Sequence, residues 1–199
     1  MSRLVIIDSG GANLASVRHA LLRLGVDAPV TLDASTIRAA ERLLLPGVGA
    51  AAPIMRQLRE SGIADLLREL RTPLLGICVG MQVLYENSAE ADTPCLGLLS
   101  GSIGKVKATA TARVPHMGWN RLRRDRGSPL LAGIGDDYAY FVHSYAAAVD
   151  ENCVASVEHG DRYAALVQRG HIAGAQFHPE RSAQVGARLL QNFLRWEPT

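Results

Sequence analysis

The chain has 199 residues, 48% of them hydrophobic and 20% charged, with a net charge of +2 at pH 7. A chain of that size buries about 70% of its unfolded surface, and this balance describes an ordinary globule, neither disordered nor embedded in a membrane. A charge so near zero gives no electrostatic ground for a nucleic-acid or membrane partner.

The first predicted element is the apolar run Leu4-Val5-Ile6-Ile7, a strand too short before Asp8 to be a signal or membrane segment. Ser9-Gly10-Gly11-Ala12 reads as a turn. Asn13 can then cap a helix whose apolar residues Leu14, Val17, Leu21 and Leu24 share a face, and Gly25 ends it. Leu43-Leu44-Leu45 is a second strand, broken by Pro46-Gly47-Val48-Gly49. Helical spacing returns with Ile54 and Leu58, and again with Ile63, Leu66, Leu67 and Leu70. A strand over residues 74–77 leads through a glycine-flanked turn into a helix predicted to run to about Glu86. Continuous apolar strands between amphipathic helices indicate a parallel sheet covered on both faces.

From about Leu96 to Ala175 the pattern becomes β-like and rich in hairpins. The basic run from Arg121 to Arg126 reads as a solvated turn, with a partner-facing role left open by its place just after Asn120. Residues 138–149 are aromatic and apolar, and the strands 154–157 and 163–167 are separated by Glu158-His159-Gly160-Asp161. Residues 172–177 lead to His178. A last helix begins near Ser182 and carries Val185, Leu189, Phe193 and Trp196. With no repeat or long linker, residues 1–199 are expected to form a single domain. Its class is α/β, a mostly parallel sheet with flanking helices and an added β layer in the second half.

Gly76-Ile77-Cys78-Val79-Gly80 has the form of a nucleophile elbow: strand, tight turn, helix, with the nucleophile at the apex. The free N–H groups and dipole of the helix start favour a thiolate there. Gln176-Phe177-His178-Pro179-Glu180 supplies the other two members of a Cys-His-acid triad. In an extended segment His178 and Glu180, two residues apart, point the same way. Glu180 can therefore fix the imidazole tautomer while the other ring nitrogen faces the sulfur. Parallel neighbours end on one edge of a sheet, so the Pro46–Gly49 loop should lie beside the elbow. Its backbone N–H at Val48, with that of Val79, would then form an oxyanion hole.

The remaining signals are weaker. Three cysteines, Cys78, Cys95 and Cys153, are an odd count without regular spacing; this fits a reducing compartment and a cytoplasmic protein. Cys95 and Cys153 read as core thiols, and His19 and His159 as ordinary surface residues. Neither metal-ligand spacing nor a nucleotide-binding loop is present, so no metal and no cofactor is expected.

These motifs resemble those of the class I (triad) glutamine amidotransferases, in that family's order and over essentially the whole chain. Two further stretches, Pro115-His116-Met117-Gly118-Trp119-Asn120 and Tyr140-Phe141-Val142-His143-Ser144-Tyr145, are similar to the glutaminase subunits of histidine biosynthesis. The resemblance implies hydrolysis of glutamine to glutamate and ammonia, with ammonia passed to a (β/α)₈-barrel cyclase in a heterodimer. It further implies that Gly49, Gln82, Ser144 and Tyr145 hold glutamine, and that Asn13, Trp119, Asn120 and Arg181 face the cyclase. Departures are small. Ser9, Gly11 and Ala12 replace a common Asp-Tyr-Gly-Met-Gly-Asn opening, and Arg181 stands where many members have lysine. The competing expectations are the glutaminase subunit of another triad amidotransferase, a free-standing hydrolase of γ-glutamyl substrates, and a non-catalytic scaffold on the same fold.

Overall fold

The computed structural model describes residues 3–10 and 13–198. The turn expected at Ser9-Gly10-Gly11-Ala12 therefore lies partly outside the described residues, at Gly11 and Ala12.

The first half alternates strand and helix: β1 (Leu4–Ile7), α1 (Leu14–Arg23), β2 (Val30–Thr31), α2 (Ala34–Arg38), β3 (Arg42–Gly47), α3 (Ala51–Glu60), α4 (Ile63–Glu69), β4 (Leu74–Cys78) and α5 (Val79–Gln82). The second half holds β5 (Asn87–Ser88), β6 (Thr93–Pro94), β7 (Ser102–Lys105), β8 (His116–Arg124), β9 (Tyr138–His143), β10 (Tyr145–Ala147), β11 (Cys153–His159), β12 (Asp161–Arg169), β13 (Ile172–Ala175) and α6 (Ala183–Arg195). No helix among the described residues is long and apolar enough to cross a membrane.

Nine strands form one sheet in the order β2-β1-β3-β4-β13-β12-β11-β8-β9. Its first five strands are parallel, and the rest are antiparallel. Strands β1, β3 and β4 are buried at every position, as expected of a sheet covered on both faces. Most second-half strands thus extend the first sheet; the added β layer is a small four-stranded sheet, β10-β7-β5-β6.

The decisive pairing is β13 beside β4, which matches Ala175 with Ile77. On the other side of β4, Gly47 of β3 matches Cys78. Three segments far apart in sequence, Val48–Gly49, Cys78 and Gln176–His178, therefore leave the sheet together at one edge. Open parallel sheets place their sites at this carboxyl edge.

Several elements differ from the sequence expectation. Helix α5 stops after one turn at Gln82, well short of Glu86. The carbonyls of Val83, Leu84 and Tyr85 accept hydrogen bonds from the backbone N–H groups of residues 96–99, and these cross-links replace the next helical turn. Helix α2 and strand β2 were not anticipated, since five and two residues are too few for a periodic signal. Arg121 to Arg124 belong to β8, not to a turn, because Leu122 is buried and paired with Val157 while the arginines on either side face outward. Glu158, His159 and Asp161 likewise continue β11 and β12, leaving Gly160, at φ 76°, as the hairpin turn.

Candidate active site

Cys78 ends β4 at φ 54° and ψ −113°, a conformation rarely adopted by any residue with a side chain. Such strain persists only where the surroundings impose it, and it concentrates at functional sites. The glycines explain how it is imposed. A Cβ on Gly80 would lie 1.8 Å from the Leu45 carbonyl oxygen, and one on Gly76 would lie 2.5 Å from the Gly80 oxygen. Gly47 is equally confined, 2.5 Å from the Gly80 nitrogen. These three glycines let the elbow press backbone to backbone against β3. The unusual torsion falls on the cysteine itself.

The elbow opens into a cleft of about 540 Å³ lined by Cys78, Val79, Val48, Gly49, Gln82, Ser144, Tyr145, His178, Asn13 and Arg181, all singled out from sequence. Glu180 stands behind His178 with its side chain only 1% exposed. The His178 Nδ1 proton is donated to Glu180 Oε1 at 2.7 Å. Nε2 has no hydrogen-bond partner among the described residues and is left to the Cys78 sulfur beside it. Burial disfavours the imidazolium, but the cysteine and Glu180 outweigh burial and hold His178 above its ordinary value. Burial likewise opposes the Glu180 carboxylate, yet its bonds to His178 and Asn13 keep it below the usual range. The segment is not extended throughout: His178 is, and a single 3₁₀ turn over Pro179–Arg181 then brings Glu180 round to the ring.

Asn13 is the N-cap residue of α1, but its side chain makes no capping bond; its amide instead donates to Glu180 Oε1 at 2.5 Å and approaches His178 Nδ1 at 3.4 Å. Gln82 is buried and donates to the Tyr145 carbonyl at 2.8 Å and to Gln176 Oε1 at 3.0 Å. Trp119 lies outside the cleft, 53% exposed, with its ring edge against Tyr140, over which the Arg181 guanidinium sits at 5.0 Å. Asn120 is turned inward, its amide bonded to the Glu158 carbonyl and to His116. Cys95 and Cys153 are buried, and burial raises their thiols to about 11 and about 12.

Some cleft residues escaped the sequence reading. Glu90 lines the cleft and accepts the Ala51 N–H at 2.9 Å, capping α3 from a distant 3₁₀ turn. His143 lines it too, at the end of β9. His159 is no ordinary surface residue, for it stacks on His116 with ring centroids 4.1 Å apart. Glu90 carries no local pattern, and His143, though inside the Tyr140–Tyr145 stretch, takes no role of its own from it; each depends on what the fold brings beside it.

A strained cysteine, a histidine hydrogen-bonded to a buried carboxylate, and the carboxyl edge of a parallel sheet thus meet at one cleft. The chain belongs to the class I glutamine amidotransferase family, whose model matches residues 5–196. It is 55% identical over 195 residues to a protein of Xanthomonas oryzae pv. oryzae (strain MAFF 311018), with 98% of each chain covered. It is 51% identical over 198 residues to one of Xylella fastidiosa (strain Temecula1 / ATCC 700964), with 99% of each covered. Both relatives are named imidazole glycerol phosphate synthase subunit HisH. Among solved structures, a glutamine amidotransferase shares the fold, with TM-score 0.75, 24% identity, and 96% and 97% of the two chains covered.

Proposed function

We propose that this chain is the glutaminase subunit of an imidazole glycerol phosphate synthase, with Cys78, His178 and Glu180 as its catalytic residues. The observation that carries the chemistry is the strained Cys78 in a cleft beside a histidine whose Nδ1 is held by a buried carboxylate. The Cys78 thiolate attacks the side-chain amide carbon of glutamine, and the carbonyl oxygen takes the negative charge against the N–H groups of Val48 and Val79. His178 gives its proton to the departing ammonia, leaving a γ-glutamyl thioester. Water, deprotonated by the same ring, then attacks the thioester and releases glutamate and the free thiol. Glu180 keeps the ring oriented and stabilises its charged form.

Gly49, Gln82, Ser144 and Tyr145 would hold the glutamine. Glutamine carries an α-ammonium group as well, and Glu90 is the one carboxylate among the described residues that line the cleft. It is therefore the counter-charge for that end of the substrate.

If Glu180 acts only through the ring, Glu180→Gln should slow turnover less than His178→Ala, by about tenfold or more at saturating glutamine. Equal losses would mean that the carboxylate takes part in proton transfer itself.

The ammonia would pass to a (β/α)₈-barrel cyclase subunit in the cytoplasm, bound over the face that carries the exposed Trp119 and Arg181. Gly49, at φ 84°, leaves the loop before α3 free to rotate a peptide, so the oxyanion N–H can be withheld until the partner is engaged. The test is the glutaminase rate of the free chain, of the chain with the cyclase subunit, and of the complex with cyclase ligand. A rate that rises at each step supports the assignment, and Trp119→Ala should weaken that rise more than the basal rate. One high rate in all three states would leave an ungated glutaminase.

A further inference from the structure

Beside the proposed triad lies a pair of buried histidines that the chemistry above does not use. His116 and His143 are direct cross-strand neighbours on β8 and β9, and both are buried. His116 Nδ1 lies 3.0 Å from His143 Nε2. His143 Nδ1 lies 3.0 Å from the Tyr145 carbonyl oxygen, and the Asn120 amide nitrogen lies 3.1 Å from His116 Nε2.

The direction of every proton in this chain follows from its two ends. A carbonyl oxygen only accepts, so His143 must carry its proton on Nδ1. Its Nε2 is then a bare acceptor, and His116 must donate to it from Nδ1. The Nε2 of His116 is left as the acceptor for the Asn120 N–H. Asn120 cannot flip, because its Oδ1 accepts the Arg121 N–H at 2.8 Å and its amide nitrogen donates to the Glu158 carbonyl at 2.9 Å. The His116 ring is also held in place: it stacks on Phe141 and on His159, with centroids 4.7 and 4.1 Å away. A proton added to either ring would set two N–H groups against each other. Burial, reinforced by the neighbouring rings, accordingly keeps both neutral, at about 3 for His116 and about 4 for His143.

The chain ends where position matters most for the cleft. His143 is the last residue of β9 in the large sheet, and Tyr145 is the first of β10 in the small one. Residues 143–145 are therefore the corner at which the backbone crosses between sheets, and all three line the cleft. The Tyr145 carbonyl receives two donors, His143 Nδ1–H and the Gln82 amide, so its lone pairs are filled.

We propose that His116 and His143 are positioning residues for the substrate, fixing the corner at Ser144 and Tyr145 through the one-way chain Asn120 to His116 to His143 to the Tyr145 carbonyl. This deepens the glutaminase reading and rests on glutamine occupying the cleft.

Two measurements test it. Long-range ¹H–¹⁵N spectra of the whole chain, without substrate, should show both rings neutral at pH 7 with the proton on Nδ1, the less common tautomer in water. A proton on Nε2 of either ring would overturn the chain of donors. Glutaminase rates against glutamine concentration are then compared for the wild type, His116→Phe and His116→Asn, in the assembly that gives the wild type its highest rate. The phenylalanine keeps the stacking and removes the link. KM should rise about tenfold with kcat within about threefold, and His116→Asn, which retains an N–H in the Nδ1 position, should recover most of the loss. No rise in KM, or equal damage by both substitutions, would reduce the pair to packing. A wild-type chain that does not hydrolyse glutamine under any condition would instead overturn the glutaminase reading, and the substrate-free spectra would still decide the donor chain.

Discussion

Cys78→Ser is expected to lower glutamine hydrolysis by at least about 10³-fold while leaving the fold intact. Serine has nearly the volume of cysteine, and the sulfur's hydrogen-bond contacts are long, 3.9 Å to the Val142 carbonyl and 3.8 Å from the Gln176 amide. Thermal unfolding should therefore move by no more than the equivalent of about 1 kcal/mol. A glutamine-like electrophile should label Cys78 alone in the wild type. Cys95 and Cys153 remain protonated thiols at neutral pH, with burial the main cause, and should stay unmodified. Label on either of them, or appreciable hydrolysis by the serine variant, would remove Cys78 from its proposed role.

Gly80→Ala should be the most damaging single-methyl change at the elbow. The added Cβ would sit 1.8 Å from a backbone oxygen of β3 and 2.9 Å from the adjoining carbonyl carbon. Neither can yield as a flexible side chain would, so β3 and the elbow must separate. The expected cost is at least about 3 kcal/mol, seen as a lower unfolding temperature together with lost hydrolysis. Gly127→Ala is the control: it has open space and ordinary torsions, and should stay within about 0.5 kcal/mol of wild type. Equal unfolding temperatures for the two variants would show that the close approach at Gly80 is not what shapes the elbow.

Much of the site was legible because its signals are local. A cysteine between glycines after an apolar strand needs five residues to be recognised, and His178-Pro179-Glu180 needs three. The α1 stripe of Val17 and Leu21 and the α6 stripe of Leu189 and Phe193 are buried as their 3.6-residue period requires. The resemblance to the amidotransferases added Gly49, Gln82, Ser144 and Tyr145, and the structure brings all four to the cleft.

What stayed hidden has a common cause. The length of α5 is decided by N–H groups of residues 96–99 that take up the carbonyls a longer helix would use. Glu90 has no periodic or motif context, and its place follows from a partner 39 residues away. Asn13 was legible as a helix cap, but its bond to Glu180 depends on a partner 167 residues away. His159 looked like a surface histidine because nothing near it in sequence announces the ring of His116.

By itself, then, the sequence determined which residues can be a nucleophile, a base and an orienting acid, and which stretches pair as strands or bury one helical face. Those properties arise from side-chain chemistry and from periods of two and 3.6 residues, both written in consecutive positions. Only the tertiary structure decided that β13 lies beside β4, so that His178 reaches Cys78 a hundred residues earlier. It alone also decided that β8 and β9 set His116 against His143. Strand order and register depend on which buried faces fit together across the whole sheet, and that fit is a property of packing rather than of any one segment.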